Sequence, residues 1–220
     1  MIFVRASELN GRQIHTQKQI IFVVYGFGIE KRMHVLSPSH NPPIIDKTPV
    51  LIGENVQLRP LREGDLAKRV DLLCDPFWHR LHGSTRMVAL SDPEVRDANA
   101  ALMVQPYTWA IERAGKCVGV ISLSGFNPPL GKSGVVGIDI FEAKDRGQGN
   151  GLDALEVFLR YAFKQLKLQW LKLEVHQDNP AARLYRRLGF KRLDVPLPDR
   201  PKMLVMVLPA HKYDALGQTP

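Results

Sequence analysis

The chain has 220 residues, 45% of them hydrophobic and 24% charged, an ordinary globular composition in a chain long enough to bury a core without disulfides or metals. No apolar run is long enough to span a bilayer, and the two cysteines, Cys74 and Cys117, form neither a C-x-x-C motif nor a zinc-spaced cluster with histidine. The formal net charge of +8 favours an anionic partner, whether a phosphorylated cofactor, nucleic acid or a membrane surface, without choosing among them.

Residues 1–50 read differently from the rest. The apolar run IIFVVYGFGI, residues 20–29, follows Lys18 but leads to no A-x-A-like cleavage site, which argues against a secretory leader. LSPSHNPPIIDKTP, residues 36–49, holds four prolines and reads as an extended linker. Met33 stands just before it, so a start of translation there is one hypothesis; the intact mass of the native protein tests it. The expected organisation is an extension and linker over 1–50, a globular domain over 51–210 and a tail over 211–220. A reduced, cytoplasmic protein is the default reading of the cysteine usage, with Cys117 an inert strand residue packed in the core.

Within the domain, NVQLRPL (55–61) alternates as a strand, and REGDLAKRVDLLCD carries Leu66, Val70 and Leu73 near helical spacing. DPEVRDANAALMV (92–104) predicts a second helix, with Asp92 as N-cap and Pro93 in its first turn. TWAIE and CVGVISL predict a hairpin closed by RAGK; NPPLGKSG (127–134) is a loop, and VVGIDIFEA (135–143) another strand. LDALEVFLRYAFKQL (152–166) predicts the clearest helix, with Leu155, Phe158, Leu159, Ala162 and Leu166 in one stripe. WLKLEV (170–175) is a strand, PAARLYRRLG (180–189) a helix stopped by Gly189, and KMLVMVL (202–208) a last buried strand. This mixture predicts an α/β protein with one sheet covered on both faces.

The chemistry concentrates in DRGQGNGLDAL, residues 145–155, which joins a strand to the strongest helix. Glycines there permit positive φ and close approach of a ligand to the backbone. The first N–H groups of a helix lack intrahelical partners, and with the positive end of the helix dipole they suit a diphosphate. Arg146 adds charge at the entrance. No G-K-[ST] and no G-x-G-x-x-G is present, so neither a P-loop nor a dinucleotide fingerprint fits.

Arg146, Gly149 and Gly151 match R-x-x-G-x-G, which resembles the acyl-CoA pyrophosphate loop of the GNAT superfamily of N-acetyltransferases. LKLEVHQDNPAARLYRRLGF (171–190) resembles that superfamily's next strand and helix, ending in L-Y-x-x-x-G-F through Leu184, Tyr185, Gly189 and Phe190. LIGENVQLRPLREGDL (51–66) resembles the opening of the branch that acts on ribosomal-protein N-termini and small amines. The resemblance spans about residues 51–208 and implies a mostly antiparallel sheet with two splayed strands and helices on both faces. It implies acetyl-CoA as cosubstrate and no metal. The backbone of Ile138 and Ile140 would bind the pantetheine arm, with an N–H of that strand facing the oxyanion. The amides of Gly147, Gln148, Gly149, Asn150, Gly151 and Leu152 would hold the diphosphate, with Asn179 also on the cofactor.

In that frame Tyr185 is the general acid for the leaving thiolate, and Glu174 matches a glutamate that some members use as general base. Asp139, Glu142 and a water are rival bases, and His176 reads as a surface histidine, with a proton relay as its alternative role. The usual N-x-x-A-x-x-L-Y is one residue shorter here, in NPAARLY, so either Asn179 or Asp178 caps the helix. Arg183, Arg186, Arg187, Lys191 and Arg192 would meet the 3′-phosphate or an acidic substrate. The amine acceptor, a protein N-terminus or a small amine, would lie against 62–106 and 126–134, with Phe77, Trp78, His79, His82 and Tyr107 as lining aromatics and histidines. Homodimers are frequent in the superfamily. The alternatives are a non-catalytic acyl-CoA-binding module, and a basic nucleic-acid-binding protein, for which the sequence carries no signature.

Overall fold

The computed structural model describes residues 48–73, 75, 78, 81, 92–126, 131–195 and 197–215. The expectations for residues 1–47, Cys74, Phe77, His79, His82, residues 127–130 and residues 216–220 fall outside it. Eight strands form one sheet in the order β1-β2-β3-β4-β5-β6-β8-β7. They are β1 Leu51–Ile52, β2 Gln57–Pro60, β3 Thr108–Arg113, β4 Lys116–Ser124, β5 Ser133–Ile140, β6 Trp170–His176, β7 Lys191–Leu193 and β8 Met203–Pro209. Every neighbouring pair is antiparallel except β5 and β6. The β3–β4 hairpin turns on Ala114 and Gly115, both at positive φ (48° and 75°), the geometry that matches the twist of a two-residue hairpin.

The helices are α1 Arg69–Leu73, α2 Asp92–Val104, α3 Asn150–Arg160, α4 Ala181–Arg187 and α5 Ala210–Ala215. The segment expected to be helical from Leu66 onward is turn as far as Lys68 and helical from Arg69 to Leu73. The α3 stripe is as the spacing requires, with Leu155, Phe158, Leu159 and Ala162 all fully buried. Beyond Arg160 the helix widens into a π-helical turn, Tyr161–Gln165. Gly189, at φ 89°, stops α4. Two elements were not expected: β7, and α5 within the presumed tail. Tyr213 of α5 is 1% exposed and packs on Phe163, so α5 is anchored on the domain through that one side chain while its other face is exposed.

The main core runs from β2 and β3 through α3 to β6, β8 and α4. A second cluster, Leu66, Leu72, Val120 and Phe141 with Leu102 and Trp78 against it, lies around α1 and α2. The approach to α1 is fixed by a buried ion network. Arg59 on β2 donates from Nε to Glu112 on β3 (2.5 Å) and from its two Nη atoms to Asp65 (2.7 and 2.9 Å). Charges buried at this depth are tolerated because each is paired and hydrogen-bonded.

Candidate active site

The sheet opens along the β5–β6 seam. These strands pair only at Ser133↔Trp170, Gly134↔Leu171 and Val135↔Lys172. Beyond them β5 stays with β4 as far as Gly119↔Ile140, while β6 stays with β8 as far as His176↔Met203. Each strand therefore keeps one partner and leaves the other side open. The Phe141 N–H donates to Val118 O (3.0 Å), so Phe141, Asp139 and Gly137 direct their backbone groups at β4. Alternation sends those of Ile138 and Ile140 into the gap.

The loop Phe141–Gly149 closes the end of the gap. It contains a 3₁₀ turn, Ala143–Asp145, and ends on Gly149, which caps α3 at φ 83° with no side-chain cap bond. The first helical bond runs from Asp153 N–H to Gly149 O (3.0 Å), so the amides of Asn150, Gly151 and Leu152 precede the intrahelical ladder. A Cβ on Gly147 or Gly149 would meet nothing within 4 Å, and one on Gly151 would lie 3.9 Å from Ile140 Cγ1 and 4.0 Å from Ile138 Cδ1. Open space thus lies over the donors, and the first turn of α3 packs on the free half of β5. An extended ligand with an anionic end fits this arrangement: amides along one strand, then a cluster of helix N–H groups.

Side chains hold the loop in this shape. Arg146 donates to Ile140 O (3.0 Å) and Phe141 O (2.7 Å); its guanidinium is a tether between loop and strand as well as a charge. Asn150, 1% exposed, donates to Asp145 O (2.9 Å) and accepts from Arg113 (3.1 Å), which leaves its backbone amide as its contribution to a ligand. Asp153 accepts backbone N–H bonds from Glu54 (3.0 Å), Asn55 (2.6 Å) and Val56 (2.9 Å). Asp153 was missed in the sequence: an acidic residue in a first helical turn is readable, but its partners are nearly a hundred residues away.

Tyr185, 8% exposed, projects from α4 into the main core beside Phe190 (ring centroids 6.1 Å). Burial pushes its hydroxyl well above the usual phenol range, and the negative charge of Asp139 adds to the push. Glu174, on β6, is bound on both oxygens, by Lys172 (2.9 Å) and Arg200 (2.8 Å). Burial raises its carboxyl, but these two cations more than offset that and the net direction is down. Glu142 is likewise lowered, by hydrogen bonds from Lys68 and Lys144. His176 is buried, at 5% exposure; the surface reading is corrected, because the turn after β6 folds back onto the ring and brings the Asp178 N–H to Nδ1 (3.2 Å). Asn179 caps α4, its Oδ1 accepting from Ala181 N–H (3.0 Å), which resolves the shortened motif in favour of Asn179 over Asp178.

On the acceptor side, Tyr107 is core, 6% exposed and edge-on to Phe126 at 5.1 Å, and Trp78 packs on the second cluster. Neither is a free aromatic wall. Arg183, Arg186, Arg187, Lys191 and Arg192 are exposed. Cys117 is half-buried and its thiol is pushed up to about 11, chiefly by burial, in keeping with an inert residue. Among the described residues no cluster suits a metal and no helix is long and apolar enough to cross a membrane.

Comparison with known proteins agrees with this geometry. The family profile of the acetyltransferase (GNAT) domain matches residues 55–191. No curated protein matches the chain. Among solved structures, a spermidine N-acetyltransferase from Vibrio cholerae, in complex with CoA and spermine, is 22% identical with a TM-score of 0.60, covering 72% of this chain and 98% of its own. An acetyltransferase from Agrobacterium tumefaciens is 22% identical with a TM-score of 0.60, covering 74% and 95%. A Vibrio cholerae protein described as a ribosomal-protein-serine acetyltransferase is 20% identical with a TM-score of 0.54, covering 77% and 99%. The matched domain takes in the splayed seam, the glycine loop and the tyrosine helix together, and the chain accordingly belongs to the GNAT family, as an acetyl-CoA-dependent acetyltransferase.

Proposed function

We propose that the protein transfers the acetyl group of acetyl-CoA to a primary amine by direct attack through a tetrahedral intermediate. The observation that carries this reading is the open β5–β6 seam leading to the uncapped N-terminus of α3. Pantetheine pairs with the backbone of Ile138 and Ile140. The amides of Gly147, Gln148, Gly149, Asn150, Gly151 and Leu152 take the diphosphate, and Arg146 keeps the loop tied to β5. Asn179, three residues past β6, borders the cofactor from the other wall.

The chemistry sets the remaining roles. A lysine-like amine has a pKa near ~10.4 and an α-amine near ~8, so the nucleophile must lose a proton before or during attack. A strand N–H facing the gap stabilises the oxyanion. The leaving thiolate needs a proton, and Tyr185 supplies it; its burial keeps the phenol protonated until a thiolate forms beside it. The acceptor is a protein N-terminus or a small amine such as a polyamine, bound from the α1–α2 side, in a cytoplasmic enzyme.

Calorimetry with CoA and acetyl-CoA tests the binding half, and free-thiol release over a panel of amines tests the transfer half. Tyr185→Phe is expected to keep CoA affinity and lose about 10²-fold in kcat. Full turnover by that variant would remove Tyr185 as the acid, and no uptake of CoA by the folded protein would end the reading.

A further inference from the structure

The face of the sheet opposite α3 carries Thr108, Ser122 and Gly137 in one row that leads to the seam. The register sets Thr108 on β3 beside Ser122 on β4, and Ser122 beside Gly137 on β5. Trp109 and Ile121 pack in the main core with α3, so alternation turns Thr108 and Ser122 to the other face. Val120 shares that face with Ser122 and packs against Leu66 and Leu72, which places the row on the α1–α2 side from which an acceptor comes. Exposure grades along it. Thr108 is 4% exposed, Ser122 is half-buried, and Gly137 is exposed in the middle of an eight-stranded sheet. Outside its chain neighbours, a Cβ built on Gly137 would meet one heavy atom within 4 Å, Ser122 Oγ at 3.5 Å. The place above Gly137 is therefore open and bounded by a hydroxyl. It adjoins Ile138, at the end of the gap away from the glycine loop. A thioester arrives there when its cofactor is anchored by a diphosphate beyond Ile140.

Thr108 gives an independent sign of a ligand. The Leu123 N–H donates to Tyr107 O (2.9 Å), so the next pair, Thr108 and Ser122, is a non-hydrogen-bonded one, in which side chains stand closest. Hydroxyls in such a pair stabilise a sheet by bonding each other. Here Thr108 Oγ1 is buried with no partner, a state that is unfavourable until a partner is supplied. A turn of Ser122 about χ1 lets its oxygen accept from Thr108 while its own O–H points over Gly137. Among the described residues, the carboxylates beside the gap are each matched by cations. Arg69 stands 3.8 Å from Asp139 Oδ2, Lys172 and Arg200 hold Glu174 (2.9 and 2.8 Å), and Lys68 and Lys144 hold Glu142.

We infer that Ser122 binds the acceptor, with Thr108 as its positioning residue, and that the pair selects an amine with a carbonyl oxygen close to its nitrogen, as a peptide α-amine has, over a polyamine; the assignment rests on the transferase reading above. The Thr108 O–H donates to Ser122 Oγ, and the Ser122 O–H donates to the carbonyl oxygen of the acceptor's first residue, lying over Gly137. Each bond polarises the other. With the carbonyl held, the nitrogen on the same Cα is held at the mouth of the gap. A polyamine brings methylenes, which give the serine no partner, and further cations, which meet carboxylates already matched.

The test uses the full chain, an alanine-N-terminal hexapeptide and spermidine as acceptor probes, and free thiol as readout. Wild type is expected to favour the peptide by at least about tenfold in kcat/KM. Ser122→Ala is expected to lower kcat/KM for the peptide about 3- to 10-fold through the peptide KM, as one lost hydrogen bond does, with the acetyl-CoA KM within about twofold. Thr108→Val keeps the shape of the side chain and should reproduce that loss, and Thr108→Ser should restore activity. The double variant should be no worse than Ser122→Ala alone, because both changes break one chain of bonds, whereas independent packing defects would add. Gly137→Ala fills the open place and should lower peptide turnover at least about tenfold with CoA affinity by calorimetry unchanged. Wild type that acetylates spermidine as well as the peptide, a Ser122→Ala variant within about twofold of wild type on the peptide, or a loss carried by the acetyl-CoA KM overturns the assignment and leaves the transferase standing. If Ser122→Ala does not fold, full peptide activity in Thr108→Val and Gly137→Ala overturns it instead. Thiol release with neither probe also overturns it; the transferase reading falls only if the wider amine panel is equally silent.

Discussion

Replacing Asp153 with alanine is the sharpest test of how the loop is held. The carboxylate accepts three backbone N–H groups, from Glu54, Asn55 and Val56, and ties the first turn of α3 to the turn between β1 and β2. Val56 is 3% exposed, so its N–H is orphaned in the variant at about 1–3 kcal/mol. Glu54 and Asn55 are exposed, so water replaces the carboxylate there and the loss is about 0.5–1.5 kcal/mol for each. Together these give about 2–6 kcal/mol. With a urea m-value of about 2–3 kcal/mol/M, a loss of 3 kcal/mol moves the denaturation midpoint down by about 1–1.5 M. Gly53 supplies an internal control. A Cβ there would lie 2.4 Å from Asp153 Oδ1, so Gly53→Ala destabilises wild type but costs less once Asp153 is alanine. The double mutant is therefore expected to be less destabilised than the sum of the singles. Because the same turn of α3 carries the proposed diphosphate donors, Asp153→Ala should also weaken CoA binding. A midpoint shift below about 0.2 M, or strict additivity with Gly53→Ala, would refute the reasoning.

Gly149→Ala places a side chain at φ 83° where nothing else is crowded, so strain alone is felt. We expect a loss of about 1–2 kcal/mol in urea melts, together with a raised KM for acetyl-CoA. Tyr213→Ala removes the anchor of α5 and should cost about 3–5 kcal/mol; a stability within error of wild type would make α5 the tail that the sequence suggested. Glu174 has its carboxyl lowered on folding, so it contributes stability above its unfolded value near ~4.3 that is lost as pH falls through the folded value. Glu174→Gln is accordingly less stable than wild type at pH 7, and the two converge in acid, read as urea midpoints from pH 7 to 3. In a Cys74→Ser background, Cys117, with its thiol pushed up to about 11, should react with iodoacetamide at pH 8 at least about 10²-fold more slowly than free cysteine, whose pKa is near ~8.5.

Much of this site was legible in the chain. The alternation of β6, the stripe of α3 and the glycine-rich turn before it are local patterns, set by side-chain period and by where the backbone tolerates positive φ. They place the proposed diphosphate donors and Tyr185 on named elements without any knowledge of contacts. What local pattern cannot carry is which distant groups meet. The parting of β5 from β6 after Val135 depends on each strand having another partner, β4 or β8, and no short window of sequence states that. The same is true of Asp153 with the turn before Val56, of Arg200 on Glu174, and of Arg69 facing Asp139 across two elements. A three-residue edge strand and a six-residue terminal helix are likewise too short for periodicity to reveal; Tyr213 makes the helix part of the domain only because Phe163 is there to receive it. The sequence by itself determined the longer elements and the glycine-rich turn on which the proposed diphosphate site is built, since both are properties of neighbouring residues. The open seam and the state of every carboxylate around it were decided by the tertiary structure, because burial and charge pairing exist only once distant segments are packed together.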